Sequence, residues 1–185
     1  SYKGAYVSVE NIKNALNNHL NPIIIIDCQP LQHELRGIGR YGVNLVNTII
    51  KNNKKYDIKL LVNNFISKDL LNKKITAKCE IIEFKFKNVI NPDDIDRNVY
   101  SNILDENKHE HELCNFINKL NPTIYINISG FDRRKVMVNI KLLRKEIKTY
   151  CILYDLIPLK LNLLKNQTNL WNINYNKQLN NLKLY

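Results

Sequence analysis

Apolar residues follow two rhythms along this chain, and their alternation predicts its elements. Short β-branched or aliphatic runs, led by the unbroken Ile23-Ile24-Ile25-Ile26, predict strands. Further strands are expected at Asp57 to Val62, Cys79 to Phe86, Thr123 to Ile128 and Lys148 to Tyr154. A continuous run rather than an alternating one suits a strand buried on both faces, because helices then cover both sides of a parallel sheet. Between the strands the period lengthens to that of a helix. Tyr41, Leu45, Val46, Ile49 and Ile50 recur at helical spacing as far as Asn52-Asn53, after a turn containing Gly37 and Gly39. Ser67 to Asn72 predicts a short helix capped by Ser67. Ile103 to Leu120 predicts a long one through Leu104, Leu113, Phe116, Ile117 and Leu120, ended by Asn121-Pro122. Helices are also expected over Val136 to Glu146 and Leu170 to Leu184, and ahead of the first strand over Ser8 to Leu20, with Ser8 as N-cap and Asn21-Pro22 as stop. Val89 to Asp96 reads as a loop.

Strands alternating with helices predict an α/β fold: a Rossmann-like, doubly wound parallel sheet. Ligands then bind at the carboxyl ends of the strands, near the point where the strand order reverses. The loops after Ile26, Ile128 and Tyr154 are the ones to watch. At 185 residues the chain suits one such domain, expected over 22–185, with 1–21 as a helical extension. It begins at Ser1 without Met, which predicts a piece of something longer.

The formal charge of +11 invites a nucleic-acid reading, but Lys is spread among Asn and Ile throughout rather than gathered with aromatics into a stripe. No zinc, RNA-recognition or helix-turn-helix signature accompanies it, so nucleic acid is not an expected partner. Cys28, Cys79, Cys114 and Cys151 are far apart and form no C-x-x-C pair, against metal and disulfide frameworks and in keeping with a cytoplasmic setting. No apolar run approaches the ~20 residues of a membrane span.

Gly37-Ile38-Gly39 lies where a strand gives way to a helix, and such a turn lets backbone N–H groups approach an anion at the positive end of the helix dipole. It is not the dinucleotide fingerprint. Gly37, Gly39 and Gly42 keep its glycine spacing, but the fingerprint needs a short loop from the strand, whereas ten residues separate Asp27 from Gly37. No Walker loop is present either. A second constellation, Cys151 to Leu159, is an apolar strand that ends on Asp155 and leaves through Pro158. A carboxyl there can accept hydrogen bonds from sugar hydroxyls or help a proton move, or it caps the loop that follows. Asp27 ends the first strand in the same way and more often orients a loop than reacts. His109 and His111, two apart on a helix, point to different sides and predict a solvated face rather than a metal site. Arg133-Arg134-Lys135 could draw phosphate or begin an exposed helix, and Trp171, Tyr175 and Tyr185 read as packing or a contact for another domain.

Asp27-Cys28-Gln29-Pro30-Leu31, then Gly37-Ile38-Gly39-Arg40-Tyr41 and Asn44-Leu45, together with Tyr154-Asp155-Leu156-Ile157-Pro158-Leu159, resemble the N-terminal domain of retaining two-domain (GT-B) glycosyltransferases of the group-1, mannosyltransferase-like type. The resemblance covers Pro22 to Tyr185. It implies an acceptor-side domain facing a second Rossmann-like domain that binds a nucleotide sugar, in an enzyme building polysaccharide or glycoconjugate. Gly37, Ile38, Gly39 and Arg40 would lie near the donor diphosphate, and Asp155 would line the sugar and carry the catalytic carboxyl. Asp27, Tyr154, Ser129 and Gly130 would lie on the acceptor side. No metal and no cofactor beyond the nucleotide-sugar substrate are implied, and the acceptor would be a glycan or a lipid-linked one. Where many relatives carry His before the aspartate this chain has Tyr154, so no His-assisted step is implied. Without its C-terminal donor-binding half the chain is not expected to be a complete catalyst. The alternative expectation is a non-catalytic basic module docking on an anionic membrane or a protein, and peripheral attachment at the inner face of the plasma membrane would suit either.

Overall fold

The computed structural model describes residues 22–32, 37–64, 67–76, 78–86, 106–130, 136–153 and 178–185. They form one five-stranded, all-parallel sheet. The strands are β1 (Ile23–Asp27), β2 (Asp57–Asn63), β3 (Glu80–Phe84), β4 (Ile124–Asn127) and β5 (Lys148–Cys151), in spatial order β3-β2-β1-β4-β5. Helices α1 (Gly37–Asn52), α2 (Asp69–Lys74) and α3 (Glu106–Leu120) flank the sheet, and residues 178–182 are helical as well. This is the expected Rossmann-like, doubly wound α/β arrangement, with the order reversing between β1 and β4.

The isoleucine run of β1 goes to the centre because both of its faces are covered. Ile24 and Ile26 join a core layer with Val43 and Val46 of α1 and Leu71 of α2. Ile25 joins the opposite layer with Leu61, Tyr125 and Leu113, Cys114 and Ile117 of α3. The side-chain period of two thus sends each strand's residues to alternate layers. α1 buries one stripe and exposes Arg40, Tyr41, Asn44, Thr48 and Lys51. α3 ends where Asn121 takes a left-handed φ of 53° ahead of Pro122, a conformation that asparagine tolerates better than most residues.

Three expectations need correction. Val136 to Glu146 is not a helix: residues 136–139 are extended, Ile140–Leu142 is a single 3-10 turn and the chain then turns into β5. Val136, Ile140, Leu143 and Ile147 imitate a helical period, but Val138 is buried beside Val136, which only extended backbone allows. The backbone groups that a helix would satisfy internally are met by asparagine side chains. Asn181 takes Val138 O and Ile140 N at 2.7 and 3.0 Å, and Asn118 takes Leu142 O and Arg144 N at 2.8 and 3.0 Å. Second, α2 starts at Asp69 rather than Ser67, whose hydroxyl accepts from Asp69 N at 3.1 Å just outside the helix. Third, His109 is not on a solvated face. Its ring meets Phe86 edge-on at 5.0 Å, with Glu110 buried and His111 exposed. The expected segments at Ser8 to Leu20, Val89 to Asp96 and Arg133 to Lys135, with Trp171 and Tyr175, lie outside the described residues. Among those described, no helix is long and apolar enough to cross a membrane.

Candidate functional site at the carboxyl edge

Each of the three central strands ends on a buried polar residue: Asp27 on β1, Asn63 on β2 and Asn127 on β4. Burying such groups costs several kcal/mol unless they are hydrogen-bonded, so their partners decide whether the edge is stable. Asp27 is 0% exposed, register-paired with Asn127 across the β1/β4 reversal. Its Oδ2 accepts from the Tyr125 hydroxyl at 2.8 Å, and its Oδ1 accepts from Gln29 N and Gln29 Nε2 at 3.2 and 3.1 Å. Burial, reinforced by Asp27, pushes the Tyr125 phenol well above its ordinary range, so it stays a proton donor at neutral pH.

The chain leaves Asp27 through a 3-10 turn, Gln29–Gln32, closed by Leu31 N on Cys28 O at 2.9 Å. The two glutamines of that turn each clasp the backbone of one residue elsewhere. Gln32 donates to Asn63 O at 2.8 Å and accepts from Asn63 N at 2.9 Å. Gln29 donates to Val136 O and accepts from Val136 N, both at 3.3 Å, and also accepts from Asn63 Nδ2 at 3.0 Å. On β4, Asn127 Oδ1 accepts from Ser129 N at 3.1 Å, and Asn127 Nδ2 donates to the Tyr185 hydroxyl at 3.0 Å. The Tyr185 phenol is pushed up too, first by burial and then by Cys151. The edge is therefore a polar network joining β1, β2, β4 and the segment that enters at Val136.

Of the residues singled out from the sequence, Asp27, Ser129 and Gly130 come together on the ends of neighbouring strands. Asp27 and Ser129 are buried, and Gly130 is pressed between Cys151 and Leu182. Gly37, Ile38, Gly39 and Arg40 form the first turn of α1, which follows β1 at the same edge and packs on the sheet face opposite to that of Tyr125. Arg40 is exposed, and the next residue, Tyr41, is 55% exposed. Among the described residues no glycine has positive φ, so the glycines of this turn answer no left-handed backbone requirement. The first N–H groups of a helix have no partner within it, and they can meet an anion there. Tyr154 and Asp155 lie outside the described residues. Leu153, just before them, is exposed, and no group of His, Cys, Asp or Glu among the described residues could hold a metal ion.

Sequence reasoning missed Gln29, Gln32, Asn63, Tyr125 and Asn127. A signal was present. Asn63 and Asn127 close apolar runs just as Asp27 does, and a lone Tyr125 among isoleucines must find a partner for its hydroxyl when buried. The two glutamines carry no such mark, because the backbone groups that they clasp lie 31 and 107 residues away. Compared with protein-family models, curated proteins and solved structures, the chain matches none.

Proposed function

We propose that this chain is the acceptor-side domain of a retaining glycosyltransferase, moving a sugar from a nucleotide-sugar donor to a glycan or lipid-linked acceptor together with a second, donor-binding Rossmann-like half. One observation carries the reading: the Asp27 strand end and the Gly37–Arg40 helix start, two parts of the motif that resembles these enzymes, share the carboxyl edge of a parallel sheet at its β1/β4 reversal. That is where an open α/β sheet takes its ligand.

In this reading the N–H groups of the first turn of α1 and the exposed Arg40 face the donor diphosphate. They stabilise charge that develops as it leaves. Ser129, Gly130 and Tyr154 belong to the acceptor side, and Asp155 supplies the carboxyl that orients sugar hydroxyls or moves a proton. Asp27 shapes the edge from beneath.

The test is transfer and hydrolysis by the full-length protein across a panel of nucleotide sugars. The expected result is turnover of at least one donor, a loss of about 10²-fold or more in Asp155→Ala, and a raised donor KM in Gly39→Val. No turnover of any donor, with both variants binding nucleotide sugars as the parent does, would reject the reading.

A further inference from the structure

Three parts of the carboxyl edge converge on one side chain. Gln29 stands on the loop after β1, 1% exposed, and all four hydrogen-bonding positions of its amide are filled. Its Nε2 donates to Asp27 Oδ1 at 3.1 Å and to Val136 O at 3.3 Å. Its Oε1 accepts from Asn63 Nδ2 at 3.0 Å and from Val136 N at 3.3 Å. Asp27 aims this amide. One carboxyl oxygen is anchored by the Tyr125 hydroxyl, and the other takes both the backbone N–H and the side-chain N–H of Gln29.

The consequence falls on Val136. Its backbone N–H and C=O both go to Gln29, in the manner of a neighbouring strand. Val136 is also where the chain that leaves Ser129 and Gly130 returns to the described fold. Gly130 is held at the other end by its packing against Cys151 and Leu182. Gly130 is thus held by close packing, and both backbone polar groups of Val136 are held by one amide.

We propose that Gln29 is a positioning residue for the acceptor side of the edge: its amide, aimed by Asp27, fixes where the chain from Ser129 and Gly130 returns to the sheet, and so sets acceptor affinity without touching the acceptor. The inference rests on the glycosyl-transfer reading for the identity of the ligand, and on geometry alone for the clasp. Gln32 provides the internal control. It holds Asn63 with the same pair of bonds but does not reach Val136.

The experiment compares Gln29→Glu and Gln32→Glu with the parent in the full-length protein, reading exchange of the Val136 amide and, at saturating donor, the acceptor KM and kcat as functions of pH. A protonated carboxyl keeps one donor and one acceptor, so it preserves much of the clasp. Once ionised it loses the donor to Val136 O and stands against Asp27. The titratable groups around position 29 are the Asp27 carboxyl, the Tyr125 phenol and the Cys28 thiol, the last two pushed up by burial. Burial and the adjacent Asp27 raise the introduced group above the ordinary carboxyl range.

The expected result for Gln29→Glu is parent-like behaviour at low pH. As pH rises through that titration, Val136 exchange and acceptor KM should both increase about tenfold with kcat unchanged, as one lost charge-free hydrogen bond implies. Gln32→Glu should leave Val136 exchange at the parent value. If Gln29→Glu does not stay folded at the upper end, neutral Gln29→Met reads the same quantities at a single pH, with the same rise expected. Val136 exchange that does not move, or moves equally in both glutamate variants, overturns the clasp. A lost clasp with an unchanged acceptor KM overturns the positioning role. A parent protein that transfers no sugar instead rejects the glycosyl-transfer reading, and the acceptor half of this inference with it.

Discussion

A methyl group on Gly130 would stand 2.9 Å from Cys151 Sγ, 2.9 Å from Leu182 Cδ2 and 3.2 Å from Leu153 Cδ2. No described glycine has positive φ, so this position needs glycine for space and not for conformation. The obstructing atoms are ends of side chains, which can turn aside at some cost. Gly130→Ala should therefore destabilise by about 1 kcal/mol, at the lower end of overpacking penalties, seen as a lower urea midpoint with an unchanged slope. A midpoint equal to the parent's would mean that Cys151 and Leu182 yield freely. Sequence reasoning marked Gly130 as a candidate contact because it follows a strand. That it is also wedged between β5 and the helical turn at 178–182 depends on residues 21 and 52 positions further on, which no local pattern records.

At the scale of the element, side-chain amides stand in for regular backbone pairing at several of the described junctions where helix or strand gives out. Asn47 ties α1 to the end of α2 through Lys74 O and Thr76 N, both at 3.1 Å, and Asn64 joins the end of β2 to Phe86 through its N and O at 2.9 and 3.3 Å. The asparagine that could pass for compositional bias thus supplies both a donor and an acceptor at junctions. The stretch from Val136 to Ile147 depends on it most. Asn118→Ala leaves Leu142 O and Arg144 N without their partner and should cost about 1–2 kcal/mol. Amide exchange should quicken at Arg144 while Tyr150 in β5 stays protected, and equal quickening at both would show that Asn118 supports the whole sheet rather than this segment. The strands and the long helices were legible because regular ladder and helix bonds satisfy their backbones, which lets the hydrophobic period speak for them. This stretch was misread because its period matches a helix while its hydrogen bonds come from Asn118, Asn181 and Gln29, all distant in the chain.

Over the whole molecule, burial gives three thiols and two phenols one common response to alkali. It pushes Cys79 up to about 11 and Cys114 to about 12, and it raises Cys28, Tyr125 and Tyr185 well above their ordinary values. An unfolded chain releases its thiol protons near the ordinary value of 9.0, whereas the folded chain keeps them to higher pH. The stabilisation is therefore complete below about pH 9 and is lost as pH rises toward 11 and 12, because the unfolded state then binds fewer protons than the native one. The urea midpoint should fall between about pH 8 and about pH 10, and a flat profile would contradict the burial of these groups. The sequence by itself determined the α/β class, the order and kinds of most elements, and the placing of Asp27 and the Gly37–Arg40 turn at the carboxyl edge. These follow from periodicity and from strand-to-helix junctions, which are local. Only the tertiary structure decided the strand order β3-β2-β1-β4-β5, the extended path of Val136 to Asn139 and the clasp of Gln29 on Val136. Each of those depends on which distant groups meet once the two core layers have closed over the sheet, and a buried polar group is stable only where such a partner arrives.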